Sequence, residues 1–241
     1  MAEPAMVISC EHGGNRIPGA YRYLFKDHQK LLQSHRGFDA GALALARRMA
    51  TAFGVEPITA TTSRLLVDLN RSPGHRQLFS FVTRPLDVQR KEDILSAHYW
   101  PHRHDLQQSV ARHIDEGRTV VHIASHSFTP VLNGRKRTMD VGLLYDPGRE
   151  SEKHFCKLWK DHILHKVPSP QAYSIRSNAP YKGISDGVPK LFRKMFPSRY
   201  IGIELEVNQR WYRDDPKGWK VLCDVVLAAL KSTVIAFAYT V

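Results

Sequence analysis

Apolar residues along this chain fall into short unbroken runs, each halted by polar or turn-forming residues. "MVISC" stops at Glu11-His12-Gly13-Gly14, and "RLLVDLNR" ends on Asn70-Arg71 before the turn signal Ser72-Pro73-Gly74. "TVVHIASHS", "VGLLYD" and "RYIGIELEV" follow the same plan. Apolar runs of about 4–8 residues bounded by turn signals read as buried strands, so five are predicted. Between them the period changes. In "FDAGALALARRMATAF", Leu43, Ala46, Ala50 and Phe53 recur at helical spacing, which predicts an amphipathic helix beginning near Asp39. A short extended piece follows Gly54. Lys91 to Glu116 reads as largely helical, with Pro101 breaking it or opening a new first turn. "SEKHFCKLWKDHIL", the shorter "VPKLFRKMF" and "GWKVLCDVVLAALKS" supply three more helices. There is no internal repeat and no low-complexity linker. Strands alternating with helices predict a mostly parallel mixed sheet covered on both faces, a three-layer α/β/α domain spanning residues 1–241.

In open α/β sheets ligands bind at the carboxyl ends of the strands. His12, Asn70-Arg71, His126 and Glu206 all fall at or near such ends, so they are expected to converge. With 13 histidines in the chain, a lone one says little, and most are expected to be solvated. His12 and His126 differ because each ends an apolar run, and Gly13-Gly14 and Ser127 are small enough to leave room for a ligand beside the ring. Two imidazoles, one carboxylate and an open position make up the usual catalytic zinc site.

Composition narrows the partners. Hydrophobic content of 42% and charged content of 24% are globular values. There is no unbroken run of about 18 apolar residues. The amino terminus lacks a basic region leading into a long apolar stretch, so a cytoplasmic protein without a membrane partner is expected. Cys10, Cys156 and Cys223 lie far apart, which suits reduced thiols. The formal net charge is +12, but the Lys and Arg are scattered and no basic helix or tail gathers them. That argues against nucleic acid as partner and for a cationic cleft that collects small anions.

The ordered series "SCEHGGNRIP", "DAGALALARRMA", "SRLLVDLNRSPGH", "ASHSFTPV", "RTMDVGLLYD", "SNAPY" and "IELEVNQRW" resembles the N-formylglutamate amidohydrolase family, from about Ile8 to Trp211. That family is similar in fold to the zinc carboxypeptidases and the succinylglutamate and aspartate deacylases. The resemblance implies that His12 and His126 bind zinc, and that Glu206 is the general base. It also implies that Asn70, Arg71 and Arg137 bind the substrate, Arg71 and Arg137 fixing its carboxylates, with Tyr181 in a loop over the site. Carboxypeptidase-like sites take a third ligand from His-x-x-Glu, but Asn15 stands at that position here. Asp39 is the preferred replacement and Glu11 the rival. Plain structural roles compete: Asp39 as a helix N-cap, Arg71 paired with Asp68, Arg137 in the solvated loop "GRKR". Glu204 shares a strand face with Glu206 and is expected to be structural, in a salt bridge or on the sheet's outer face. The activity implied is hydrolysis of the amide bond in a small N-formyl or N-acyl acidic amino acid. A deacylase or carboxypeptidase acting on another amide, and a metal-free binding relative, are the alternatives.

Overall fold

The computed structural model describes residues 3–167 and 172–239. In chain order the elements are β1 (Ala5–Cys10), a 3₁₀ stretch (Gly19–His28), α1 (Gln29–Leu32), α2 (Ala42–Phe53), β2 (Ile58–Thr59) and α3 (Val88–Ile94). A π-helical turn (Leu95–Tyr99), α4 (Trp100–Asp115), β3 (Val120–Phe128), the hairpin β4 (Val131–Leu132) and β5 (Arg135–Lys136), and β6 (Val141–Leu144) follow. The chain then runs through α5 (Glu150–Lys166), β7 (Ile175–Ser177), α6 (Val188–Met195), β8 (Tyr200–Asn208), α7 (Gln209–Asp214) and α8 (Pro216–Ala238).

Six strands form one sheet in the order β2-β1-β3-β8-β6-β7. The first four are mutually parallel; β6 lies antiparallel to β8 and parallel to β7. The sheet is therefore mixed and mostly parallel, as the strand–helix alternation predicts.

Strand period two divides the side chains between its faces. Met6, Ile8 and Cys10 of β1, Val121 and Ile123 of β3, and Ile201, Ile203, Leu205 and Val207 of β8 join α2, α5 and α8 in the main core. On the opposite face Ala5, Val7, Val120 and Tyr200 pack with Leu106 and Val110 of α4 and Phe192 of α6. That gives the three-layer α/β/α architecture. The three cysteines are free and buried. Helix α8 is long and apolar enough to cross a bilayer by length and composition alone. Leu222, Cys223, Val226, Leu230 and Val234 are nevertheless buried in the main core.

One predicted strand is absent. "RLLVDLNR" forms consecutive turns, because its backbone groups are satisfied locally. Leu66 N donates to Ser63 O at 2.9 Å, Asp68 N to Leu78 O at 2.8 Å and Arg71 N to Asp68 O at 3.1 Å. Its apolar run serves a satellite core, in which Leu65, Leu66, Val67 and Leu69 meet Phe25, Ile94 and Tyr99. Burial at successive positions gives the same sequence signal as a two-sided strand. Pro101 is resolved as the second residue of α4, directly after the π-helical turn. A proline ring clashes with the carbonyl four residues back and offers no N–H, and the wider turn accommodates both.

A close approach fixes the segment that overhangs the sheet. A Cβ on Gly142 would lie 2.1 Å from the carbonyl oxygen of Ala179. Asn178 N donates to Leu143 O at 2.9 Å, and its Oδ1 accepts from Tyr145 N at 3.1 Å. Gly142→Ala is expected to cost about 1–3 kcal/mol through overpacking against backbone. Thermal melting checks this, and an unchanged midpoint would refute the close approach.

Candidate active site

Asp39 does not cap α2. That role falls to Gly41, which has φ 85°, and no side chain caps the helix. Asp39 N donates to His12 O at 2.9 Å, so the turn before α2 delivers the carboxylate to the end of β1. Asp39 Oδ2 lies 3.3 Å from His12 Nδ1 and 2.9 Å from His126 Nδ1. The two ring centroids are 5.1 Å apart, and all three residues are buried. Their ligating atoms lie within 4.8 Å of one another. Two imidazole nitrogens and one carboxylate are a donor set suited to a divalent ion such as zinc.

The far side of each ring fits the same use. His12 Nε2 is 2.7 Å from Asp68 Oδ1, and His126 Nε2 is 3.2 Å from Glu11 Oε2. Metal-binding histidines characteristically donate their second ring N–H to a carboxylate, which fixes the tautomer. Asp39 thus joins His12 and His126 in a group that could hold a metal, whereas Glu11 lies at the Nε2 side of His126. Asn15 is turned away, and its Nδ2 donates to Leu32 O at 3.2 Å. Gly13 and Gly14 make room for protein and not for a ligand. A Cβ on them would lie 2.8 Å from Ala60 O and 2.7 Å from Thr61 O.

Arg64, unassigned from sequence, binds this centre from the cleft side. Its Nη2 and Nε donate to Asp68 Oδ2 at 2.7 and 3.2 Å, and Nη1 lies 3.4 Å from Asp39 Oδ1. Burial alone would raise the Asp39 carboxyl, but His12, His126 and Arg64 outweigh it and hold it below the carboxylate range. For Asp68, Arg64 and His12 likewise overcome burial and lower it strongly. Burial would lift Glu11 as well, yet His102 and His126 keep it ionised. On His126, burial is outweighed by Asp39 and Glu11, which push the imidazole well above its usual value. The site is a tight lattice of opposite charges that a cation would complete.

His12, Asp39, Arg64, Asp68, Asn70, Arg71, His126, Tyr181, Glu204 and Glu206 all line one cleft of about 500 Å³. Glu206 is paired in register with His126 across β3 and β8, so both project on one sheet face. Its Oε2 is buried and has no hydrogen-bond partner. Burial, reinforced by Asp39 and Glu204 and eased by His126 and Arg64, pushes its carboxyl up to about 8. Glu204 faces the same cleft and not an outer surface, where its Oε1 accepts from Asn70 Nδ2 at 2.9 Å.

Asn70 also accepts Val188 N at 2.8 Å, so it ties the turn segment to α6 and β8. Arg71 does not pair with Asp68 through its guanidinium; Nη1 donates to Asp186 O at 2.7 Å, and Nε is buried without a partner. Arg137, expected at the substrate, does not line the cleft. It stands behind Tyr181, donating to the phenol oxygen at 3.2 Å and stacking over the Phe128 and Tyr181 rings. Arg36, Arg84 and Lys182 add to the cationic lining. Each is an ordinary surface residue in sequence; only the fold brings them to one cleft.

A three-layer α/β/α chain with buried imidazoles, carboxylates and a guanidinium at its strand ends has the makings of a hydrolase. Comparison with known proteins makes that class specific. Residues 5–213 match the model of the N-formylglutamate amidohydrolase family, and the chain belongs to that family. It is thus an amide hydrolase by descent. The crystal structure of a gene product from Agrobacterium tumefaciens superposes with a TM-score of 0.78 at 24% identity, covering 96% of this chain and 92% of that one. N-formylglutamate amidohydrolase from Ralstonia eutropha JMP134 superposes with a TM-score of 0.73 at 18% identity, covering 99% and 96%. At those identities the likeness is one of fold. No curated protein matches the chain closely in sequence.

Proposed function

We propose that this chain hydrolyses the amide bond of a small N-formyl or N-acyl amino acid with an acidic side chain, using zinc held by His12, His126 and Asp39. The observation that carries the reading is the convergence of both Nδ1 atoms on one Asp39 oxygen, with each Nε2 backed by another carboxylate. A bound zinc would polarise the scissile carbonyl and acidify a water. Glu206 takes a proton from the attacking water and returns it to the leaving nitrogen. Arg64, whose side chain is 25% exposed at the cleft, faces the charge that develops on the carbonyl oxygen. Arg71, anchored through Nη1 on Asp186 O, offers its remaining guanidinium donors to a substrate carboxylate. Arg137 holds Tyr181 over the cleft, and Asn70 keeps Arg71 and Glu204 in register.

Purified chain should contain zinc or another divalent ion by elemental analysis. It should hydrolyse N-acyl acidic amino acids in preference to neutral ones, and a chelator should abolish turnover. Chelator-insensitive hydrolysis would end the metal reading, and equal rates on neutral and acidic substrates would end the substrate reading. Arg71→Ala is expected to reduce kcat/KM on an acidic substrate by about 10- to 100-fold, mostly through KM, since a charged hydrogen bond is worth about 1.5–3 kcal/mol. Arg71→Lys should recover little, because it lacks the planar fork. Steady-state kinetics decide the point; an unchanged kcat/KM removes Arg71 from recognition.

A further inference from the structure

Glu11 has no part in the scheme above, yet its burial demands an explanation. The side chain is fully buried and does not line the cleft, so it cannot touch a substrate. Two other buried acids, Glu152 and Asp140, are held by guanidinium groups and backbone donors. Glu152 takes Arg193 and the amides of Asp146 and Gly202; Asp140 takes Arg210, the Trp211 indole and the amide of Ser174. Glu11 has none of these among the described residues; its oxygens meet only ring nitrogens. It faces only imidazoles, with Oε2 at 3.2 Å from His126 Nε2 and Oε1 at 3.6 Å from His102 Nε2. His102 Nε2 has no other hydrogen-bond partner, and its side chain is 5% exposed.

The fold makes this contact deliberate. Ser9 pairs in register with Ala124 in the parallel β1–β3 ladder, and Glu11 and His126 each follow two residues later. The same face that carries Ser9 thus carries both groups toward α4, where His102 lies in the first turn after the π-helical segment. Burying a carboxylate opposite imidazoles alone is costly unless the pairing serves them.

We propose that Glu11 and His102 form a positioning pair for His126. The inference rests on the zinc reading of the previous subsection. Glu11 holds the ring by Nε2, so that the Nδ1 lone pair faces Asp39 and the ion. His102, anchored on α4, keeps the Glu11 carboxylate from swinging away. Neither residue touches substrate; both act through His126.

Zinc affinity, measured by competition with a chromophoric chelator, tests the pair. Glu11→Gln should weaken zinc binding by about 10–100-fold, the usual effect of removing a ligand's carboxylate partner. His102→Gln should weaken it less, and the double variant should be no worse than Glu11→Gln, since His102 acts only through Glu11. Excess zinc should restore turnover in Glu11→Gln, a rescue that a general distortion of the site would not give. A folded Glu11→Gln chain with wild-type zinc affinity overturns the proposal, as does simple additivity in the double variant. If Glu11→Gln fails to fold, unchanged affinity in His102→Gln overturns it instead. Wild-type chain that takes up no zinc, or keeps it in His126→Ala, overturns the metal centre itself and this role with it, an outcome distinct from the others.

Discussion

Glu206→Gln is expected to lower turnover by about 10²–10⁴-fold, the cost of losing a positioned general base, while zinc content and melting temperature stay near wild type. The substitution keeps size and hydrogen-bonding shape but cannot take a proton at neutral pH. Glu206 sits across the β3–β8 ladder from His126, on the face that carries the proposed ligands, and one of its oxygens is buried with no protein partner. Burial already opposes its ionisation, pushing the carboxyl up to about 8. A neutral amide of the same size matches the protonated carboxyl that burial favours, so folding should not suffer. Stopped turnover with zinc retained supports the base role. Loss of zinc would make Glu206 a ligand, and normal turnover would shift attention to Glu204 on the same face.

His12→Ala and His126→Ala should each abolish zinc retention through dialysis and leave hydrolysis at background. Each substitution removes one of three proposed ligands, and its effect should exceed the about 10–100-fold typical of an outer-shell partner. The residual structure should hold. Without His12, Asp68 still has Arg64 at 2.7 Å, so no buried acid is orphaned. Without His126, Asp39 keeps His12 and Arg64 as neighbours. Glu11, however, is left with His102 alone at 3.6 Å, so this variant should melt lower than His12→Ala. Elemental analysis of dialysed variants, paired with circular dichroism, settles both points. Full zinc content in the two variants would eliminate this centre.

The sheet was legible because its strands are short apolar runs halted by turn-forming residues. In "TVVHIASHS" the period-two rule sends His122 and His126 to one face and Val121 and Ile123 to the other, and the structure distributes them so. His12 and His126 could be singled out because they end apolar runs, and Asp39 through the resemblance to the N-formylglutamate amidohydrolase family. The turns of 64–71 could not, since burial from all sides erases periodicity and leaves a run that reads as a strand. Arg64 and Asp68 were lost inside that run. Arg137, just after the β4–β5 hairpin, touches the cleft-lining Tyr181 and Phe128, a placement set by tertiary packing that no local pattern encodes. Glu11 was weighed only as a ligand, because sequence adjacency to His12 hides that the two side chains serve different rings.

The position of β8 bears on how the molecule is made. It is the last strand in sequence yet lies inside the sheet, between β3 and β6. The proposed metal ligands, just past β1, on β3 and in the turn before α2, all precede it, so a growing chain has them in hand before the proposed base. Until β8 inserts, β3 and β6 both present open edges, the kind of template that recruits strands from other chains. Insertion of β8 thus completes the cleft and covers the inner edges of β3 and β6 in one step.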